Sequence, residues 1–375
     1  MTATVHSGLY PQQRGEDVVF CEGKNHTTSM GQVLLGRTGI TVEKNGFGAL
    51  PIQRVSTEYA GMLLKKAIAA GMTYIDSARG YSDSEEKIGK VLAQLTPEER
   101  SKLTIATKSP SDYVEGFWKD LDESLSLLGV DCIDIFQFHN PARVYRPGDD
   151  TGKYDAMLKA REQGKIRYIG FTNHRLDLAF EAVESGLYDT LQFPFSYLSG
   201  EREIELVKLC KEKGVGFIAM KALAGGLITN SAAAYAWLNQ FDNVLPIWGV
   251  QRETEVDEFI SYIDNPPALT PELEQVIEAD RGDLLGDFCR GCGYCMPCPV
   301  GIQIHMCARM GQILRRSPSE DLLMEGAQEM MAKIEDCIHC GQCTAHCPYE
   351  LDTPTLLARQ LEDYRNVLAG KASVN

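Results

Sequence analysis

The sequence lacks an apolar run long enough to cross a membrane. The longest stretch, residues 215–228, is interrupted by Lys221 and three glycines, whereas a membrane-spanning helix needs about 20 consecutive apolar residues. Residues 1–30 also lack the apolar segment and cleavage site of a secretory signal. We therefore expect a soluble protein in the reducing cytoplasm.

Positive charge is scarce relative to negative charge. The 375 residues include 37 Lys and Arg against 52 Asp and Glu, which gives a formal net charge of −15. An acidic surface repels phosphate backbones and anionic lipids. We expect neither a nucleic-acid partner nor a membrane partner, whereas an enzyme acting on a small molecule stays compatible with this charge.

No Gly-x-Gly-x-x-Gly turn follows the first predicted strand. An open doubly wound sheet that binds a dinucleotide would place such a turn there, so its absence disfavours that fold. Instead, β-branched or aromatic runs alternate with amphipathic helical stretches, and this alternation predicts a (β/α)8 TIM barrel. The eight runs cover residues 47–51, 74–78, 103–108, 133–139, 166–173, 190–196, 216–221 and 245–250.

The chain is too long for one domain of about 150 residues. Residues 33–44 predict a hairpin below the barrel, with Gly36 and Gly39 in its turn. Asn265-Pro266-Pro267 breaks the chain, and Thr270-Pro271 predicts the start of a helix. We predict an N-terminal extension (1–32), the barrel (33–284) and a C-terminal domain (285–375), with the boundary near residues 281–287.

Nine of the twelve cysteines lie between Cys289 and Cys347. In a reducing compartment such clustering indicates metal binding or redox chemistry. Structural zinc is one alternative, although zinc sites normally separate two cysteine pairs by a longer gap. Iron-sulfur clusters suit closely successive cysteines better. The isolated cysteines are expected to be buried small apolar residues, or for Cys21 an inert surface thiol; they are Cys21, Cys132 and Cys210.

The two cysteine runs resemble a bacterial-type ferredoxin domain with two 4Fe-4S clusters, over about residues 285–357. The resemblance implies that one cluster is bound by Cys289, Cys292, Cys295 and Cys347, and the other by Cys298, Cys337, Cys340 and Cys343. The first run departs from the pattern because two residues, and not three, separate its last two cysteines, Cys295 and Cys298. Cys307 is therefore an alternative to Cys298 as a ligand of the second cluster.

Ionisable residues follow successive predicted strands at the face where TIM barrels place their chemistry. Asp76 and Lys108 end two strands, His139 ends the next, and Tyr81 lies in the loop after Asp76. A lysine beside a tyrosine favours the phenolate and is expected to lower the phenol pKa. Tyr81 could then protonate a carbonyl oxygen while His139 donates a second hydrogen bond. A purely structural Lys-Asp ion pair is the alternative.

Three stretches are similar to the signatures of the aldo-keto reductases: Asp76-Ser77-Ala78-x-x-Tyr81 with Glu86 and Gly89, residues 121–134, and residues 164–173. The resemblance covers about residues 33–265. It implies catalysis by Tyr81, His139, Lys108 and Asp76 with hydride from a nicotinamide. It further implies cofactor contacts, which we expect at Thr172, Asn173, Gln192, Met220, Gly225, Gly226, Gln251 and Arg252.

Two departures from the family concern the cofactor. Met220 stands where an aromatic ring usually stacks on the nicotinamide, and Arg252 with Glu255 stands where basic residues usually bind the 2′-phosphate. We therefore expect NADH to be at least as acceptable as NADPH, and weak or absent nicotinamide binding stays open.

The two halves together predict an iron-sulfur oxidoreductase that reduces a carbonyl or an activated small organic substrate. Electrons would come from NAD(P)H, or through the clusters from a ferredoxin or flavodoxin-type donor. One alternative is an electron-transfer module whose barrel is a non-catalytic docking scaffold. Another is a reductase whose clusters are only structural.

Overall fold

The computed structural model of the chain describes residues 31–286 and 288–374. The predicted extension therefore lies outside the described residues except for residues 31 and 32, and so does Cys21. No helix within the described ranges combines the length and apolarity needed to cross a bilayer.

Eight parallel strands form a closed barrel, in the order β10-β3-β4-β5-β6-β7-β8-β9. This confirms the predicted (β/α)8 TIM barrel. The strands are β1 (Gln32–Leu34), β2 (Thr41–Glu43), β3 (Gly46–Gly48), β4 (Tyr74–Asp76), β5 (Thr104–Ser109), β6 (Ile133–His139), β7 (Ile166–Thr172), β8 (Thr190–Pro194), β9 (Gly216–Met220) and β10 (Val244–Gly249).

Helices surround the barrel and make up the C-terminal region. Helices α1 to α10 are Thr57–Ala69, Ser84–Leu92, Pro97–Lys102, Val114–Leu128, Lys153–Glu162, Leu176–Glu184, Glu201–Lys213, Ser231–Leu238, Glu253–Asp264 and Pro271–Leu284. Helices α11 to α16 are Ile304–Cys307, Met310–Arg316, Ser319–Leu322, Glu325–Ala332, Gln342–Ala345 and Thr353–Leu368. Short 3-10 helices cover Pro51–Arg54, Ala224–Gly226 and Lys333–Asp336.

The predicted hairpin closes the bottom of the barrel. Strands β1 and β2 pair antiparallel, and Gly36 and Gly39 adopt positive φ in the turn between them. Val33 and Val42 are buried against the lower ends of the barrel strands. Since the bottom is covered, the strand ends at the opposite face are left to form a site.

A close helix contact explains one of the motif glycines. A Cβ on Gly89 in α2 would lie 1.9 Å from the carbonyl oxygen of Leu127 in α4. No side chain fits at that distance, so glycine lets the two helices pack directly behind strands β4 and β5.

The C-terminal region has a hydrophobic core of its own, formed by residues between Ile302 and Tyr364. Its described residues form helices and turns without a strand, so the helical part of our fold prediction is confirmed and strands typical of a ferredoxin are not seen there. Helix α10 begins at Pro271 with Thr270 as its N-cap, as predicted. The domain boundary near residues 281–287 stays a prediction.

Arg290 joins this region to the barrel. Its buried guanidinium donates to the Leu198 carbonyl oxygen at 2.6 Å, lies 3.8 Å from the Glu203 carboxylate, and stacks 3.7 Å from the centre of the Tyr349 ring. A lysine cannot reproduce this planar arrangement.

We therefore expect Arg290→Lys to lower the free energy of unfolding by about 1 to 2 kcal/mol, through lost hydrogen bonding and stacking. Urea denaturation followed by circular dichroism measures this effect. Exposed Arg143→Lys is the control and should change stability by less than about 0.5 kcal/mol. Equal effects of the two substitutions would contradict the role given to Arg290.

Candidate active site

Four predicted catalytic residues meet at the open face of the barrel. Asp76 ends β4, Lys108 lies near the end of β5 and His139 ends β6, whereas Tyr81 comes from the loop after β4. The Tyr81 and His139 rings meet edge to face, with centroids 5.9 Å apart and an interplanar angle of 85°. The Lys108 Nζ lies 5.2 Å from the Tyr81 ring centroid.

Asp76 and Lys108 form a buried ion pair below these rings. The Lys108 Nζ lies 2.7 Å from Asp76 Oδ2 and also donates to the Ser77 carbonyl oxygen at 2.5 Å. Gln192 donates to Asp76 at 3.3 Å. Burial raises the pKa of Asp76, and the Lys108 charge opposes that shift. The pair fixes the position of an ammonium beside the phenol.

The Tyr81 phenol differs from our expectation. Burial raises its pKa above 10, and the Lys108 charge reduces this shift without reversing it. The sequence showed the lysine but not the depth of the phenol, and desolvation of the phenolate is the larger effect. Tyr81 is therefore protonated at neutral pH and holds a proton that it can donate.

His139 is a neutral imidazole at neutral pH. Burial and the nearby Lys108 charge lower its pKa to about 3. Its Nδ1 atom is buried and has no hydrogen-bond partner among the described residues. A neutral imidazole still carries one N–H group, so His139 can donate a hydrogen bond without carrying charge.

A cavity of about 320 Å³ opens above the four residues, and we call it the mouth cavity. Of the predicted nicotinamide contacts, Thr172, Gln192 and Met220 line it. Asn173 does not, because its amide donates to the Pro141 carbonyl oxygen at 2.9 Å and its Oδ1 accepts from the His174 and Arg175 amides. Three of the four residues predicted to contact the nicotinamide group are thus brought together at this cavity.

An adjacent cavity of about 400 Å³ contains the other predicted cofactor residues, Gln251 and Arg252. Gly225 and Gly226 line both cavities, so a continuous groove runs from the Tyr81 region to the start of α9. The side-chain oxygen of Gln251 is buried without a partner among the described residues. The groove therefore fits an extended polar ligand.

The C-terminal region covers part of this groove. A Cβ on Gly225 would lie 2.8 Å from Gln312 Oε1, and one on Gly226 would lie 3.3 Å from Arg316 Nη2. Glycine at these positions allows α12 to approach the barrel backbone closely. Arg316 also pairs with Glu255 at 3.2 Å. Any ligand in the groove would touch both halves of the protein.

The cysteines of the two runs form two separate groups in space. Cys289, Cys292, Cys295 and Cys347, the first cysteine set, surround one small cavity. Cys298, Cys337, Cys340 and Cys343, the second cysteine set, surround another, which Cys295 also borders. These are the two groupings that the ferredoxin resemblance implies. Each offers the four thiols that a 4Fe-4S cluster needs.

Cys307 lines neither of these cavities. It is buried in α11, and its thiol points to the Met330 carbonyl oxygen at 3.7 Å. Cys298 lines the second cavity instead, so the structure does not support Cys307 as its replacement.

Three groups in the mouth cavity were missed by sequence reasoning: His174, Lys221 and Arg309. They come from the loop after β7, the loop after β9 and the residue before α12. Positive φ at Lys221, +57°, is an unusual backbone conformation for a residue with a side chain. No motif in one stretch of chain could have brought these three residues together.

Comparison with known proteins agrees with both halves. A model of the aldo/keto reductase family matches residues 44–235, and a model of the 4Fe-4S dicluster domain matches residues 288–352. L-galactose dehydrogenase of Arabidopsis thaliana is 32% identical over 212 residues, which are 52% of this chain and 66% of that protein. Aldo-keto reductase str7 of Strobilurus tenacellus is 31% identical over 210 residues, 50% of this chain and 60% of that protein.

Solved aldo-keto reductase structures share the fold. AKR11C1 from Bacillus halodurans superposes with a TM-score of 0.58 at 20% identity, over 67% of this chain and 96% of that chain. An enzyme from Klebsiella pneumoniae in complex with NADPH gives a TM-score of 0.56 at 20% identity, over 67% and 95% of the two chains. This chain thus spans about two thirds or less of the curated relatives it matches. Since the family model covers just over half of the 375 residues, the chain belongs to the aldo/keto reductase family and carries a 4Fe-4S dicluster domain after its barrel.

Proposed function

We propose that this protein is an oxidoreductase that reduces the carbonyl group of a small organic substrate in the mouth cavity. The observation that carries the proposal is the contact between the Tyr81 and His139 rings, whose centroids are 5.9 Å apart, above the buried Lys108-Asp76 pair. A protonated phenol and a neutral imidazole on one cavity surface are two hydrogen-bond donors for one carbonyl oxygen.

In this proposal each side chain has a distinct role. Tyr81 donates a hydrogen bond to the carbonyl oxygen and then transfers its proton as negative charge develops there. His139 donates the second hydrogen bond. Lys108 stabilises the phenolate that remains on Tyr81, and Asp76 is a positioning residue that holds Lys108 beneath the ring.

Nicotinamide is the proposed source of hydride. When bound, NADH or NADPH supplies a hydride to the carbonyl carbon. Thr172 and Gln192 would orient the carboxamide, Met220 would contact the ring, and Gly225 and Gly226 would lie beside the pyrophosphate. Gln251 and Arg252 would face the far end of the cofactor. Glu255 accepts hydrogen bonds from the Gln251 and Arg252 backbone amides beside this cavity. The cavity itself is lined by Arg252, Arg315, Arg316 and Arg359, so its charge is compatible with NADPH as well as with NADH.

We further propose two 4Fe-4S clusters, one on each cysteine set. When bound, each cluster transfers single electrons. The first cysteine set lies next to the mouth cavity, because Lys221 Nζ donates to the Arg290 carbonyl oxygen at 3.2 Å and Arg290 follows Cys289. The second set includes exposed Cys340 beside Ile338, which is 62% exposed. A ferredoxin or flavodoxin-type donor in the cytoplasm could approach there.

Anaerobic assays with small aldehydes and ketones test this proposal. We expect consumption of at least one carbonyl compound with NADH, NADPH or chemically reduced clusters as the electron source. A folded, cluster-containing protein that reduces none of them with any of these donors would contradict the proposal.

The neutral state of His139 predicts the pH dependence of this activity. Because its pKa is about 3, its protonation does not change between about pH 5 and pH 8, unlike that of an ordinary histidine. A profile of kcat/KM against pH should therefore show no His139-dependent fall as the pH drops through 6.5. An inflection near that value that disappears in His139→Asn would contradict the assignment.

A further inference from the structure

The charged side chains that line the mouth cavity do not balance. The cavity is lined by one carboxylate, Asp76, and by four basic side chains. These are Lys108, Lys221, Arg309 and Arg316. Lys108 pairs with Asp76, and Arg316 pairs with Glu255 at 3.2 Å. Within residues 31–286 and 288–374, neither Lys221 nor Arg309 lies within 4.0 Å of a carboxylate. Among the residues that the structure describes, these two cations thus have no carboxylate partner.

The contacts of these two cations are to neutral atoms. Lys221 Nζ donates to the Arg290 carbonyl oxygen at 3.2 Å, and Arg309 Nε donates to the His305 carbonyl oxygen at 2.8 Å. Burial and repulsion by the Arg309 charge lower the pKa of Lys221, and burial lowers the pKa of Arg309. An anion placed between them would remove that repulsion.

The cations also face the catalytic residues. Lys221 directly follows Met220 at the end of β9, and His174 lies close enough to Lys221 and Arg309 to be influenced by the charge of each. Lys221 and Ala224 both adopt positive φ, +57° and +48°. Such backbone strain is costly and tends to persist where it aims a functional side chain.

We propose that Lys221 and Arg309, with His174 beside them, bind the carboxylate of the substrate, so that the carbonyl compound reduced in the mouth cavity is an oxo acid. The inference rests on the proposed carbonyl reduction. A guanidinium and an ammonium on one side of a cavity of about 320 Å³ bind a carboxylate on a small molecule, while Tyr81 and His139 bind its carbonyl oxygen.

A second role for the two cations has to be separated from this one. Lys221 and Arg309 also lie within electrostatic reach of Cys289 and Cys292. They could therefore serve only to balance the negative charge of a cluster on the first cysteine set, and in that case they would set its reduction potential and bind no substrate.

Calorimetric titration of the anaerobically purified, cluster-containing protein distinguishes the two roles. The probes are oxamate, an unreactive isostere of a 2-oxo acid, and oxamide, its neutral analogue. We expect oxamate to bind at least about tenfold more tightly than oxamide. Lys221→Met and Arg309→Met should each weaken oxamate binding about tenfold or more and leave oxamide binding unchanged. Lys211→Met is the control, because Lys211 is exposed and pairs with Asp242.

Four results would overturn the proposal. The first is equal affinity of the protein for oxamate and oxamide, and the second is unchanged oxamate binding in both Lys221→Met and Arg309→Met. The third is a shifted cluster reduction potential in these variants without a change in oxamate binding. The fourth is weakened NADPH binding in place of weakened oxamate binding. The visible cluster spectrum shows whether each variant is folded, and Lys221→Arg should keep oxamate binding within about threefold because it keeps the charge.

Tyr81→Phe separates this inference from the proposed function. It should keep the preference for oxamate over oxamide, since binding of the carboxylate does not need the phenol, and it should weaken both by the same factor because both lose one hydrogen bond to the carbonyl oxygen. If Tyr81→Phe keeps full carbonyl turnover while oxamate binding depends on Lys221, the proposed catalytic role fails and the anion site stands.

Discussion

Tyr81→Phe is expected to lower carbonyl turnover by about 10²- to 10⁴-fold, the usual contribution of a general acid. The phenol is protonated at neutral pH, because its pKa is ordinarily about 10 and burial raises it further. Phenylalanine keeps the ring against His139 and removes only the hydroxyl. The rate constant kcat should therefore fall, with the visible cluster spectrum unchanged.

Tyr113→Phe is the matched control for this substitution. Tyr113 is 63% exposed, precedes α4 and does not line the mouth cavity. It should leave kcat within about twofold, since surface substitutions rarely disturb a distant site. Full activity of Tyr81→Phe would favour the alternative in which the barrel is a non-catalytic docking scaffold.

Asp76→Ala is expected to lower the free energy of unfolding by about 3 to 5 kcal/mol, because it leaves Lys108 as a buried charge without its partner. Lys108 is 1% exposed and its Nζ lies 2.7 Å from Asp76. Activity should fall as well, since the ammonium below the phenol then loses its carboxylate partner and keeps the Ser77 carbonyl oxygen. Chemical denaturation followed by circular dichroism measures the change in stability.

Two further variants make this result specific. The double variant Asp76→Ala/Lys108→Met should recover part of the lost stability and none of the activity, because it removes the unpaired charge along with the ammonium. Asp242→Ala, which breaks the exposed pair with Lys211, should cost less than about 1 kcal/mol. A loss at Asp76→Ala no larger than at Asp242→Ala would contradict a buried, coupled pair.

The barrel and the cysteine sets could be predicted because their signals are local in sequence. Each strand has its own apolar run, and most of the predicted runs extend one or two residues beyond the strands observed, as at β4, which ends at Asp76. The spacing Cys-x2-Cys-x2-Cys likewise places three thiols in one loop. Residues at strand ends then come together without knowledge of side-chain packing.

What the sequence could not predict depends on how the two halves dock. Lys221 and Arg309 are far apart in the chain, and they share a cavity only because α12 lies on the Gly225–Gly226 turn. The net direction of the Tyr81 pKa shift depends on burial depth, which no motif reports. Asn173 is another such case, because its side-chain amide is occupied by the His174 backbone in its own loop and by the Pro141 carbonyl oxygen in the loop after β6.

One motif residue also changes meaning in three dimensions. Glu86 belongs to the first family signature, and its side chain is exposed and pairs with Lys90. The neighbouring Glu85 is instead the buried carboxylate, accepting hydrogen bonds from Thr107 at 2.6 Å and Ser124 at 2.8 Å. It connects α2, β5 and α4 behind the active site, so this part of the signature is structural.

We propose that bound nicotinamide, the tetrad and the iron-sulfur domain work as one redox unit, since the first cysteine set and the mouth cavity are joined through Lys221 and Arg290. Anaerobic titration with NADH and NADPH, followed by visible absorbance of the clusters, tests it most directly. We expect at least one of the two nucleotides to bleach the visible absorption bands of the clusters. Bands that dithionite bleaches but neither nucleotide changes would contradict it.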